Sequence, residues 1–359
     1  GLILFSKTFR KIGNNQAALT VPNWLGTRYE SKFFRVGFSL LSLGLIAFAV
    51  LIVVAISHVL FMLLGLPTWV MALGVVVFVY SYVLLGGVNT HAYTNAIQAV
   101  IMLVVALILI GSIIPDFFGT DSVLVKLKAI DSDLLGITNA KSLYFRNLFE
   151  VFICNFLVGF ALVCQPHILS KALYLKEEKD VRNYLVTAII AGLVFMAVML
   201  VGLIARTTLP ESTKFDLVIA TYIGTNFTSG LQVIISIGIL AAGISTLEGI
   251  LLALSTITSI DLFQSVFEKK LSRKLPEERN SIIFFVSRIS IVAFGCITFL
   301  LALWQLENPT GNSVAIFGQY GVYALITGSF IPLCTGMFIP SARKNHVIAA
   351  TVVSIVVYF

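Results

Sequence analysis

Charge is scarce in this chain. Asp, Glu, Lys and Arg make up 11% of its 359 residues, while hydrophobic residues make up 58%. A soluble domain is about one quarter charged, so these few charges do not cover a globule. Mean hydropathy is +0.99. Several apolar runs reach about 20 residues, the length that crosses a bilayer as a helix. The runs do not alternate in segments of about ten residues, which excludes a transmembrane β-barrel. Cysteine is scarce too. Cys154, Cys164, Cys296 and Cys334 all fall in apolar runs, with no C-x-x-C or Cys/His spacing. They read as small buried hydrophobes. The four histidines, His58, His91, His167 and His346, are scattered and read as structural or interfacial. No G-x-x-x-x-G-K-[ST] is present, so there is no P-loop for a nucleotide. No triad or metal-ligand cluster stands out, and the chain is not read as an enzyme.

What the sequence does hold is helices of bilayer length. Hydropathy gives nine spans: A over about 37–64, B 68–87, C 92–114, D 147–169, E 183–205, F 229–260, G 282–304, H 313–339, and I from about 346. The opening "GLILF" reads as the last turns of an earlier helix, so a fragment truncated at both ends is expected. Of the 24 Lys and Arg residues, 18 fall on one side of these spans. They sit in the segment Lys7–Arg35 and in the D–E, F–G and H–I connections. The positive-inside rule makes that side cytoplasmic. The net charge of +7 then belongs to cytoplasmic loops rather than to a nucleic-acid surface. Span F exceeds the bilayer and should tilt or extend into the cytoplasm.

Polar residues inside spans are few, which makes each informative. Glu248 is the one acid near a span centre, and an ionisable group there is a functional hypothesis by default. In "AAGISTLEGILLALST" (241–256), helical spacing puts Ala242, Ser245, Thr246 and Gly249 on one stripe, with Glu248 at its edge. Two readings stay open. Small residues and hydroxyls let helices pack closely. The same hydroxyls, with a freed carbonyl, suit a hard monovalent cation that wants oxygen ligands. Span D carries a candidate interruption at Pro166, loosened by Gly159, with Asn155, Gln165 and His167 as polar groups. Span H looks similarly loosened by Gly318, Gly321, Gly328, Pro332 and Gly336, and it carries Gln319, Tyr320 and Tyr323.

Four segments, in order, resemble motifs of the sodium:solute symporter family. They are "ALTVPNWLGTRYES" (18–31), "YSYVLLGGVNTHAYTNAIQAVIM" (80–102), "QPHILSKAL" (165–173) and "AAGISTLEGILLALSTITSIDLF" (241–263). The resemblance implies an all-α polytopic membrane protein of the LeuT type, with two interleaved five-helix inverted repeats. One transporter domain would fill 1–359, with the remainder of the first repeat over 1–114, the second repeat over 147–340 and an extra helix from 346. The first repeat's opening helix would be missing. The resemblance further implies sodium held by the Ala242 carbonyl and the Ser245 and Thr246 hydroxyls. A small organic solute, such as an amino acid, a monocarboxylate or a vitamin, would sit near Asn155, Gly159, Gln319 and Tyr323. Partners would be sodium, that solute and the lipid bilayer of the cell membrane, with no nucleic acid and no obligate protein.

The departures from the family pattern matter. Val158 and Leu162 replace aromatic contacts of the sodium/proline branch, which argues against proline. Asn95 stands where many members have Asp on the ion's exit route. Asn95 and Glu248 are therefore expected to modulate the ion site. The rival readings are a proton-coupled symporter using Glu248, a membrane sensor on a transporter scaffold, and a channel. A channel predicts a carbonyl filter or charged ring, and neither is legible.

Overall fold

The computed structural model describes residues 5, 8–9, 20–118, 121–142, 144–169, 171, 175, 178–210, 212–308 and 313–359. Side chains of 86–92, 161, 178 and 215 fall outside that description, and so does the opening turn apart from Phe5. Among the described residues every regular element is helical. In hydrocarbon each backbone polar group must be satisfied within the segment, which helices achieve. Seven of the described helices are long and apolar enough to cross a membrane. Two shorter apolar helices, Phe149–Phe160 and Lys344–Tyr358, fall on spans D and I.

The chain enters through α1 (Val21–Arg28), capped at Thr20, whose hydroxyl accepts the Asn23 N–H. Span A is two helices, α2 (Lys32–Ser42) and α3 (Leu45–Leu64), joined by a tight turn at Leu43 and Gly44. Gly65 ends α3 in the left-handed region at φ 68. Spans B and C, read as separate, lie in one helical path, α4 (Thr68–Ile113). That path is bent. Tyr82 donates a hydrogen bond to Thr94, twelve residues on. Twelve residues of straight helix would separate their Cα atoms by about 18 Å, beyond the reach of these side chains. The bend falls where the sequence carries Gly86 and Gly87.

An outer helix, α5 (Val123–Ile130), precedes span D. Span D starts as a π-helical turn (Phe149–Cys154), continues as α6 (Asn155–Leu162) and stops. It resumes as α7 (Pro166–Leu169), so the interruption expected at Pro166 is present. Span E divides into α8 (Glu178–Val198) and α9 (Leu200–Thr208), and an outer helix α10 (Val218–Asn226) follows. Span F is α11 (Ser229–Thr256), extended by a π-helical stretch (Ile257–Phe263). Spans G, H and I are α12 (Pro276–Glu307), α13 (Val314–Phe338) and α14 (Lys344–Tyr358).

Span H corrects one expectation. It is not broken, for α13 runs through Pro332 without interruption. Its glycines serve close packing instead, which is how helices associate where lipid is as apolar as the side chains. A Cβ built on Gly321 would lie 2.0 Å from the Gly44 carbonyl oxygen, so α13 crosses the α2–α3 turn in backbone contact.

The main core joins α3, α4, α11, α12 and α13 through Ile56, Val79, Leu247, Phe294 and Leu325. Gly243 admits α3 against α11, because its Cβ would sit 2.4 Å from Ile56 Cδ1. Phe156, Leu193 and Met199 are large, apolar and exposed on span faces. Lipid as solvent permits this.

At one end of the bundle the segment from Thr20 to Arg35 ties two helices together. Asp261, in the π-helical end of span F, has a fully buried side chain. It accepts from Arg35 Nε at 3.0 Å and from the Thr20 hydroxyl at 2.6 Å. Arg28 donates to the carbonyls of Gly336, Ile339 and Pro340 at the end of α13. The Tyr29 hydroxyl donates to the Pro332 carbonyl at 2.8 Å.

Candidate ion and solute sites

The three expected sodium ligands come together on α11. The Ser245 hydroxyl lies 2.9 Å from the Ala242 carbonyl oxygen, and the Thr246 hydroxyl lies 3.0 Å from it. A Ser or Thr bonding back to a carbonyl three or four residues earlier is common in apolar helices. The Ser255 and Thr256 hydroxyls converge on the Leu252 carbonyl in the same way, but Ser255 is 2% exposed, whereas Ala242, Ser245 and Thr246 are all only partly buried. The three oxygens of Ala242, Ser245 and Thr246 form a compact, uncharged cluster of the hard-donor kind. Ala242, Ser245, Thr246 and Gly249 are all only partly buried, and a Cβ on Gly249 would meet nothing within 4 Å. The interrupted span D packs against α11 through α7.

Glu248 points elsewhere. It is 2% exposed, on the buried side of α11, and interacts with the Tyr82 hydroxyl. Tyr82 in turn donates to Thr94. The carboxylate is thus part of the packing between α11 and the bend of α4, about 120° around the helix from Ala242. Asn95 follows Thr94 in that bend and is half-buried.

Three of the four expected solute residues also meet. Asn155, Gln319 and Tyr323 line one cavity of about 360 Å³ between span D and α13. Gly159 does not line it. Sequence reasoning missed Arg146 and Glu150, which line the same cavity. Arg146 Nη2 lies 2.6 Å from Glu150 Oε1, and Nε lies 2.9 Å from the same oxygen. Glu150 pushes the Arg146 pKa up by hydrogen bonding and charge attraction. The signal available was the four-residue spacing of opposite charges. A second cavity of about 450 Å³ adjoins the first, sharing Val158 and Tyr323. Among the described residues no three of His, Cys, Asp and Glu gather as a metal cluster. The only ion-binding chemistry the stripe offers is therefore that of hydroxyls and carbonyls.

A bundle of bilayer-length helices, one of them broken and another carrying a partly buried oxygen cluster, has the architecture of an ion-coupled secondary transporter. The family comparison agrees. The profile of the sodium:solute symporter family matches residues 1–310, and the chain belongs to that family. It is a multi-pass integral membrane protein. Similar curated proteins include the sodium/pantothenate symporter of Haemophilus influenzae, 26% identical over 84% of this chain. The high-affinity proline transporter PutP of Bacillus subtilis is also 26% identical, over 83% of this chain. The chain spans 61% of the length of each of these two relatives. Among solved structures, a Na+-coupled sialic acid symporter in a substrate-bound, outward-open state matches 99% of this chain and 82% of its own length. The TM-score is 0.66 at 16% identity, so the two chains share a fold.

Proposed function

We propose that the protein carries out sodium-coupled symport of a small organic solute by alternating access. The observation that carries this is the meeting of the Ser245 and Thr246 hydroxyls with the Ala242 carbonyl on a partly buried stripe of α11, where the similarly bonded Ser255 is buried. Sodium binds to these oxygens. The solute occupies the cavity lined by Asn155, Gln319 and Tyr323. Residues 1–114 and 147–340 act as the two repeats, and they move against one another around the loaded site. The membrane potential adds about 2.3 kcal/mol per charge per 100 mV to the sodium gradient.

The test is uptake into proteoliposomes of the full-length protein. Ser245→Ala/Thr246→Ala is expected to raise the half-saturating sodium concentration about tenfold or more, the equivalent of about 1.4 kcal/mol of lost ion binding. Unchanged sodium-driven uptake in that double variant would remove the site assignment. The proton-coupled alternative places the driving ion at Glu248. It requires pH-driven, sodium-independent uptake that Glu248→Gln abolishes. The sodium reading requires uptake to stay sodium-driven in Glu248→Gln.

A further inference from the structure

The two adjoining cavities differ in chemistry, and the difference defines a solute class. This step rests on the transport reading above. The first cavity is polar on one side. Arg146 and Glu150 stand there in one ion pair, with the Asn155 side chain tied to the Glu150 carbonyl at 2.8 Å. Gln319 Oε1, at the same cavity, is buried without a hydrogen-bond partner. A buried acceptor in that state seeks a donor. The second cavity is apolar, lined by Leu157, Ile326, Phe330 and Ile331. Two hydroxyls on its wall are already engaged. Ser354 donates to the Thr327 carbonyl and Tyr358 to the Tyr320 carbonyl, each at 3.0 Å. Each cavity alone falls within the roughly 300–1,000 Å³ range of small-molecule sites.

We propose that the solute is a zwitterion with a bulky apolar side chain, as in a large neutral amino acid. Its carboxylate pairs with Arg146, its ammonium with Glu150 and Gln319, and its side chain enters the chamber beyond Val158 and Tyr323. The charge balance argues for this class. The cavity holds one cation and one anion. A singly charged solute would take one member of this pair and leave the other, Arg146 at 59% or Glu150 at 17% exposure, to solvent alone. A zwitterion exchanges one ion pair for two and leaves the site neutral. An ammonium also brings three donors, enough for Glu150 and the unpartnered Gln319 oxygen together. Arginine suits the other end, because its planar fork matches a carboxylate.

The test is ligand-induced thermal stabilisation of the full-length protein in lipid nanodiscs, with and without sodium. The probes are phenylalanine, its methyl ester, its N-acetyl derivative and glycine. Phenylalanine is expected to bind. The ester, the N-acetyl compound and glycine are each expected to bind at least about tenfold more weakly, the loss of one charge-assisted contact or of the apolar anchor. Arg146→Gln should weaken phenylalanine but leave the ester unchanged, and Glu150→Gln should do the same for the N-acetyl compound. A merely structural role would weaken every probe alike. If either single variant fails to fold, the swap Arg146→Glu/Glu150→Arg keeps the pair, and it should retain the preference for the zwitterion over both derivatives. Equal binding of the ester or the N-acetyl compound, or no binding by phenylalanine, overturns the proposal. Binding of phenylalanine that ignores sodium would instead overturn the coupling and leave the solute class standing.

Discussion

Arg35→Ala is expected to destabilise the protein by about 3–5 kcal/mol, the usual cost of stranding one partner of a buried ion pair. The Asp261 side chain has no solvent exposure, while that of Arg35 is 27% exposed. Asp261 cannot recover the lost contact from water. Only the Thr20 hydroxyl bond would remain among its side-chain partners here. Arg35 also donates to the Ile260 carbonyl at 3.3 Å, so its removal loosens the π-helical end of span F as well. Asp261→Asn keeps the shape and removes the charge that needs compensation. Arg35→Ala/Asp261→Asn should therefore be more stable than Arg35→Ala alone. Thermal unfolding in detergent, arranged as a double-mutant cycle, measures this. A single Arg35→Ala variant that melts with the wild type would show the pair to be inert.

Gly321→Leu is the second large effect. Even a methyl group there would lie 2.0 Å from the Gly44 carbonyl oxygen and 3.0 Å from the Ala47 Cβ. The neighbour is backbone, so it cannot rotate away. Gly321→Ala is expected to cost about 1–3 kcal/mol, the range for an overpacked site, and Gly321→Leu more. Gly37 is the control, because a Cβ there meets nothing within 4 Å. Gly37→Ala removes a helix-interior glycine and should gain up to about 1 kcal/mol. Melting temperatures moving in opposite directions would support this packing. A tolerated Gly321→Leu would place the crossing elsewhere.

Much of the fold was legible because a membrane span writes its whole length into local sequence. Spans D, G and H begin and end within a few residues of their helices, apart from the cytoplasmic start of G. Pro166 announced a break and made one. Pro332 announced another and did not, for α13 runs on through it while packing against α3 and α14. The oxygen stripe was also legible, since Ala242, Ser245 and Thr246 share one helix turn. Pairings over distance were not. Arg35 and Asp261 are 226 residues apart. Each lies in or beside a stretch whose motif drew attention for other reasons. The direction of Glu248 was equally hidden, because one helix's periodicity gives an angle but not the neighbour at that angle. The bend of α4 supplied that neighbour.

The contact between Gly44 and Gly321 also has a mechanical meaning. It lies seven residues from the Val314 end of α13 and seventeen from its Phe338 end. Treated as a fulcrum, it divides the helix into arms of about 10 and 25 Å. A swing of about ten degrees then moves the Val314 end by about 2 Å and the Phe338 end by about 4 Å, from the same rise per residue. Arg28 and Tyr29 grip the long arm, at Pro332, Gly336, Ile339 and Pro340. Leverage therefore concentrates travel at the Phe338 end, where Arg28 and Tyr29 supply the tether.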